Sequence, residues 1–333
     1  MAHTHLRIFP LAPFNSGKSK LEDLTPFEPS WDFGRALACS FDPRLRRKDL
    51  LGPNTAQRFY IQKGYISERY DDEPYIVPFL VSGSEKAVLI VPGGAYQDVS
   101  LDQEGYPTAE RLNELGISAF VLKYRVYPYL YPTAMVDCRR AICFIKAHAK
   151  EFGIDADKLS MLGYSAGGNL AASAHYLFAS LPPIEGYEED EIDKIDPSIA
   201  SLALIYPELK GERNLLALQF GEQILTSDSY CAQIQKEHDL TRFVRGSKTP
   251  LFLVAAQDDG VVDPSNALDM GRAALENHSR VELHLFSEGG HGFGVRQEDF
   301  PSMYGLPARR MKGTREWVNL YANWLTLTLE ERR

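Results

Sequence analysis

The 333 residues are 44% hydrophobic, 24% charged and 11% aromatic, ordinary proportions that exclude wholesale disorder, a collagen-like repeat and a coiled coil. That length suits one large α/β domain or two small ones. With 36 Lys and Arg against 45 Asp and Glu, the formal charge of -9 disfavours nucleic acid and anionic membranes as partners.

Residues 1–57 are rich in Pro and aromatic side chains and lack sustained periodicity. They read as an arm that wraps the domain or meets a second subunit, as in a homodimer. Met1 to Asn15 carry Pro10 and Pro13 and no apolar run after a basic start, so no secretory signal is expected. Nowhere do 18 apolar residues run together, which argues against a membrane span.

Residues 58–333 read as one catalytic domain. Tyr75 to Val81 and Ala87 to Val91 are apolar runs flanked by Gly, Ser and Pro, the pattern of strands. Pro107 to Leu115 suits a helix stopped by Gly116, and Ile117 to Tyr124 a strand. A long helix is expected over Met135 to Phe152, closed by Gly153. Lys158 to Leu162 is a strand that runs into a Gly-rich turn and an Ala-rich helix. Further strands are expected at Ser201 to Tyr206, Pro250 to Ala256 and Arg280 to Phe286, with a last helix at Glu316 to Leu329. Strands alternating with helices predict an α/β fold with a mostly parallel sheet covered on both faces. Leu181 to Pro197, Glu212 to Lys248 and Val295 to Thr314 interrupt the alternation, and such segments border ligand sites in these folds.

The pentapeptide Gly163-Tyr164-Ser165-Ala166-Gly167 fits G-x-S-x-G. Chance supplies it in about one chain of this size in ten, but chance need not set it between a strand and a helix. The tight turn strains the serine backbone and exposes its hydroxyl, while the helix start offers N–H groups to a developing oxyanion. Ser165 is therefore the candidate nucleophile, and it needs a base.

Of eight histidines, His3 and His5 lie in the arm. His148, His175, His238 and His278 fall on helices or their ends, and His284 alternates within a strand. Only His291 stands in a Gly-rich loop just beyond a strand, Glu288-Gly289-Gly290-His291-Gly292-Phe293-Gly294. The orienting acid is expected between them in chain order, in the loop Gln257-Asp258-Asp259-Gly260-Val261-Val262. Asp259 is preferred to Asp258 because Gly260 turns the chain directly after it and the paired valines anchor the loop. Asp263, before Pro264, looks like a helix cap. In Val91-Pro92-Gly93-Gly94-Ala95-Tyr96 consecutive glycines leave a strand; the backbone N–H groups of Gly94, Ala95 and Ala166 are the candidate oxyanion donors.

From Val91 to Ala172 the chain resembles the esterase/lipase branch of the α/β-hydrolases that includes acetyl esterases and acetylxylan-esterase-like enzymes. The resemblance rests on Pro92 to Tyr96, Glu104-Gly105, Lys123-Tyr124-Arg125, Tyr131-Pro132, Asp137 and Gly163 to Gly168. Asp259 to Val262 and Gly290 to Phe293 extend it over residues 60–330. It implies an α/β-hydrolase fold, a short acyl ester substrate, and no metal or organic cofactor. Pro92 and Ala95 depart from the HGGG pattern of many esterases, which bears on the shape of the acyl pocket. Tyr96, Tyr164 and Phe293 are the candidate pocket residues. An amide-cleaving relative, such as an arylformamidase or peptidase, stays open, as does a catalytically silent binding protein on the same scaffold.

Other features carry less. Ser16-Gly17-Lys18-Ser19 lacks the first glycine and the preceding strand of a phosphate-binding loop. Glu188 to Asp193 reads as a solvated acidic loop without EF-hand spacing. Trp317 and Trp324, seven apart, read as core. Cys39, Cys138, Cys143 and Cys231 show no metal-ligand spacing and read as structural thiols in a reducing compartment, so a cytoplasmic location is expected.

Overall fold

The computed structural model describes residues 4–9, 59–62, 65–68, 74–127, 129–295 and 313–331. Most of the arm, the Ser16–Ser19 run, Cys39 and residues 296–312 lie outside the described residues.

Eight strands form one sheet: β1 (Leu6–Arg7), β4 (Tyr75–Phe79), β5 (Ala87–Val91), β6 (Ser118–Lys123), β7 (Leu159–Tyr164), β8 (Leu202–Ile205), β9 (Leu251–Ala256) and β10 (Val281–Phe286). Their order across the sheet is β1-β4-β6-β5-β7-β8-β9-β10. β4 runs antiparallel to β1 and β6, and every other pairing is parallel. β2 (Phe59–Gln62) and β3 (Tyr65–Glu68) make a separate antiparallel pair. Neither this pair nor β1 was legible in the pattern. Leu6 and Arg7 pair with Ile76 and Tyr75, so the start of the arm is an edge strand.

The central strands are buried from end to end, as their unbroken apolar runs require when both sheet faces are covered. Among the described residues the α-helices are α1 (Tyr106–Glu114), α2 (Thr133–Ala147), α3 (Ala149–Phe152), α4 (Ser165–Tyr176), α5 (Arg213–Phe220), α6 (Gln223–Thr226), α7 (Asp228–Glu237), α8 (Ser265–Glu276) and α9 (Trp317–Glu330). Neighbouring residues of β7 show the two layers, because side chains alternate across a strand. A Cβ on Gly163 would lie 2.5 Å from the Gly167 carbonyl, so α4 packs close on that face. Tyr164 points the other way, toward Thr108 of α1 and Trp317 of α9.

The expected helix over Met135 to Phe152 is broken. His148 leaves helical geometry at φ -104°, ψ 16°, with its ring Nδ1 2.8 Å from the Phe144 carbonyl. The His148 N–H still reaches the same carbonyl at 3.1 Å, so the break between α2 and α3 is one residue's departure from helical dihedrals. The 212–248 interruption is α5 to α7 followed by a 3-10 turn at Leu240–Gly246. The acidic loop is not simply solvated: Arg140 holds Asp190 and Asp193, and Asp193 is buried. Trp317 and Trp324 are core, as are Cys138, Cys143 and Cys231. Among the described residues, no helix is long and apolar enough to cross a membrane.

Parallel register sets the site. Val91 pairs with Gly163, Tyr164 with Ile205, Ile205 with Val254, and Ala256 with Phe286. Five strands therefore end at one level, and the loops that follow them share one edge.

Candidate active site

β7 ends in extended geometry at Tyr164, and the next residue, Ser165, takes φ 48° before α4 continues. A non-glycine residue in the left-handed region carries strain of about 1–3 kcal/mol. Here it turns the serine side chain out above the sheet edge. Ser165 Oγ lies 2.8 Å from His291 Nε2. His291 Nδ1 lies 2.8 Å from Asp259 Oδ2. The imidazole and this carboxylate are both almost fully buried, so water competes little for the hydrogen bonds. The structure thus brings together the three residues singled out from three distant loops.

Asp259 keeps its other oxygen occupied: Oδ1 accepts the N–H groups of Val261 and Val262, each at 2.9 Å. The valines hold this loop through their backbone rather than by burying their side chains, which are partly exposed. Asp263 Oδ1 accepts the Ser265 N–H at the start of α8.

After β5, the chain runs through three successive positive φ angles, 128° at Gly94, 53° at Ala95 and 55° at Tyr96. Gly94 has no substitute here, since a Cβ would stand 2.0 Å from the Asp98 carbonyl oxygen. Gln97 and Asp98 donate to the Gly94 carbonyl and Ser100 to the Gly93 carbonyl. The N–H groups of Gly94 and Ala95 meet no acceptor among the described residues. Ala166 is the second residue of α4, where N–H groups have no intrahelical acceptor. The turn and the helix start thus present free donors beside Ser165.

The three candidate pocket residues divide. Tyr96 donates its hydroxyl to Asn169 Oδ1 at 2.9 Å and lines a cavity of about 20 Å³ with Tyr131, Met135, Leu170 and Gln219. That volume suits about one water molecule. Tyr164 and Phe293 are corrections. Tyr164 is fully buried, its hydroxyl 2.6 Å from Thr108 Oγ1, because strand alternation turns it beneath the sheet edge. Phe293 is buried edge-on against Tyr206, with ring centroids 4.6 Å apart. Both side chains are buried against neighbouring aromatic rings.

Sequence reasoning assigned no role to four buried polar residues around the site. Tyr206, at φ 40° just after β8, sets its ring edge-on to His291 with centroids 4.9 Å apart. Glu104 accepts the Gly93 N–H at 2.6 Å and the Tyr206 hydroxyl at 2.9 Å. Glu208 donates its N–H to the Ser165 carbonyl and accepts from Asn169 Nδ2 at 3.3 Å. Burial pushes the carboxyls of Glu104 and Glu208 up to about 7, against backbone N–H donors that favour the ionised form. Glu104-Gly105 contributed to the resemblance, but nothing in its local pattern tells a buried acid from a helix cap. Among the described residues, no three His, Cys, Asp or Glu side chains are grouped to hold a metal ion.

Residues 77–191 match the BD-FAE family. The chain is 27% identical over 221 residues to endo-1,4-beta-xylanase B of Butyrivibrio fibrisolvens, covering 64% of this chain and 33% of that one. It is 26% identical to an acetylxylan esterase of Xylanibacter ruminicola, over 67% of this chain and 44% of the other. The chain therefore spans a third to a half of the length of these curated relatives. Among solved structures, the acetyl ester-xyloside bifunctional hydrolase of Caldicellulosiruptor lactoaceticus superposes with a TM-score of 0.63 at 22% identity, covering 97% and 96% of the two chains. A propionate-bound thermophilic esterase, Est2 of Thermogutta terrifontis, gives 0.60 at 21% identity over 79% and 94%. Sheet order and the solved structures give this chain the α/β-hydrolase fold, and its sequence is similar to esterases.

Proposed function

We propose that the chain hydrolyses short-chain carboxylic esters, acetyl esters foremost, through a covalent acyl-serine. The observation that carries the reading is the hydrogen-bonded run Ser165–His291–Asp259 beside the donors of Gly94, Ala95 and Ala166. In this reading His291 Nε2 takes the Ser165 proton as Oγ attacks the ester carbonyl. The developing oxyanion is held by the three N–H groups. His291 then gives its proton to the leaving alkoxide, and the C–O bond breaks to leave an acyl-serine. Water, deprotonated by the same ring, attacks the acyl carbonyl and releases the carboxylic acid and free Ser165. Asp259 fixes the tautomer with the proton on Nδ1 and stabilises the imidazolium.

Acetylated xylo-oligosaccharides are the substrate class proposed, on the strength of relatives whose names join xylan and acetyl ester chemistry. Because the chain spans only part of the two curated relatives and is 22% identical to the solved structure, this substrate is carried by the resemblance and not by the site geometry.

The test is hydrolysis of a chromogenic acetate ester, beside acetate release from acetylated xylo-oligosaccharides and cleavage of N-formyl and dipeptide amides. Ser165→Ala is expected to abolish ester turnover and labelling by a fluorophosphonate. Full turnover by that variant would remove Ser165 from the mechanism. Amide cleavage outpacing ester cleavage would favour the amide-cleaving alternative, and a wild type that neither labels nor turns over would leave a silent scaffold.

A further inference from the structure

The buried acid behind the oxyanion turn has no part in the acyl-transfer steps above. Glu104 sits in the wide helical turn Leu101–Gly105 that precedes α1, with 3% of its surface exposed. Its Oε2 accepts the N–H of Gly93, directly before the candidate oxyanion donors. A Cβ on Gly93 would meet both Glu104 Oε2, at 2.9 Å, and Ser165 Cβ, at 3.0 Å, so the carboxylate lies close behind the nucleophile. Its Oε1 accepts the hydroxyl proton of Tyr206, whose oxygen in turn accepts the N–H of Gly294 at 3.2 Å. Gly294 closes the loop that carries His291, and its carbonyl accepts from Trp317 Nε1 at 3.0 Å. One carboxylate therefore joins the oxyanion turn to the histidine loop by way of Tyr206.

We propose that Glu104, in its ionised form, is a positioning residue that sets the oxyanion turn and the His291 loop in register and stabilises the imidazolium. The inference rests on the serine-esterase reading of the site. Its physical basis is donor counting. An ionised carboxylate accepts from both Gly93 and Tyr206, and every polar hydrogen of the network has an acceptor. Protonation of Oε1 reverses that bond: Glu104 donates to the Tyr206 oxygen, which already accepts from Gly294, and the Tyr206 proton loses its acceptor. A buried donor without a partner is costly, so protonation, although burial of the charge favours it, shifts the contacts that hold the two loops in register. The carboxylate also attracts positive charge on His291. The charged and titratable groups facing it are Asp98 from the oxyanion turn, Tyr124 beyond β6, Tyr164 at the end of β7, Tyr206 after β8, and His291. The three tyrosines are held neutral by burial, and Asp98 opposes ionisation of Glu104. Burial holds the Glu104 carboxyl at about 7, so its proton comes and goes near neutral pH.

The experiment compares wild type, Glu104→Gln, Glu104→Asp and Tyr206→Phe, each first checked for fold by near-UV circular dichroism and thermal unfolding. Fluorophosphonate labelling of the wild type tests for an activated serine before any Glu104 variant is compared. With it, Glu104→Gln is expected to lower kcat about 10- to 100-fold, as small misplacements do, with KM within about threefold. The acid limb of log kcat/KM against pH should fall with two protons in wild type and one in Glu104→Gln. Glu104→Asp should restore the two-proton limb, and Tyr206→Phe should lower kcat without removing it. Glu104→Gln with unchanged kcat and an unchanged limb, whatever its melting temperature, overturns the proposal. If Glu104→Gln fails to fold, Tyr206→Phe with wild-type kcat does so. A wild type that neither labels nor turns over instead defeats the serine-esterase reading, and this inference falls with it.

Discussion

Asp258 and Asp259 are neighbours in sequence, yet their carboxylates reach two different parts of one loop. Asp258 Oδ1 accepts the N–H groups of Gly289 and Gly290 at 2.8 and 2.7 Å, and Asp259 Oδ2 meets His291 Nδ1 at 2.8 Å. The first carboxylate anchors the approach to the histidine, and the second aligns its ring. The turn after β9 thus supports His291 through backbone and side chain together.

Substitution separates the two roles. Asp259→Asn leaves the ring without an acceptor for the Nδ1 proton and favours the wrong tautomer, so kcat should fall by roughly ten-thousand-fold. Asp258→Asn keeps one acceptor oxygen and should cost about 1–3 kcal/mol of stability with a much smaller loss of kcat. Initial rates with a chromogenic ester and urea unfolding of both variants decide this. A larger catalytic loss at Asp258 would reverse the assignment.

Gly94→Ala should damage the site without touching the three side chains. At φ 128° a Cβ would collide with the Asp98 carbonyl at 2.0 Å, so the turn must move. The expected effect is a loss of roughly 1–3 kcal/mol in stability and about 100-fold in kcat. Labelling of Ser165 by a fluorophosphonate should slow in step, because the probe also develops charge on oxygen.

Stability should decline as pH rises through neutrality. The carboxyls of Glu104 and Glu208 are raised from 4.5 to about 7, so between those values the folded protein binds more protons than the unfolded chain. The stabilising contribution is complete below about 4.5 and is lost as pH passes about 7, at most about 3 kcal/mol for each group. Urea unfolding across this window should show a smaller decline in Glu104→Gln and Glu208→Gln than in wild type. Equal slopes in all three would show that neither carboxyl is raised.

The buried pair Arg125–Asp137 should be costly to break. Both side chains are fully buried, with Arg125 Nη2 2.5 Å from Asp137 Oδ1 and the Arg125 N–H 3.0 Å from Oδ2. Asp137→Ala removes the carboxylate from a fully buried guanidinium and should destabilise by about 3–5 kcal/mol. Replacing both residues with apolar ones of similar volume should cost less, as chemical unfolding of the single and double variants would show.

Local pattern carried much of this molecule. Unbroken apolar runs such as Ala87 to Val91 mark buried parallel strands, and glycines around Ser165, His291 and Gly94 mark turns that other residues cannot make. The chain order Ser165, Asp259, His291 then pointed to one reaction class. Pattern was silent where a two-residue strand such as Leu6–Arg7 is held by its partner alone. It also misjudged Tyr164 and Phe293, whose direction depends on what packs behind them.

What the sequence determined by itself was the set of turns, because each depends on the conformational freedom of its own few residues. Only the tertiary structure decided how those turns meet, because parallel register brings the ends of β5, β7, β8, β9 and β10 to one level. The same holds for the buried acids. Glu104 and Glu208 lie more than a hundred residues apart in the chain, and their protonation near neutral pH arises from burial, which no local stretch of sequence contains.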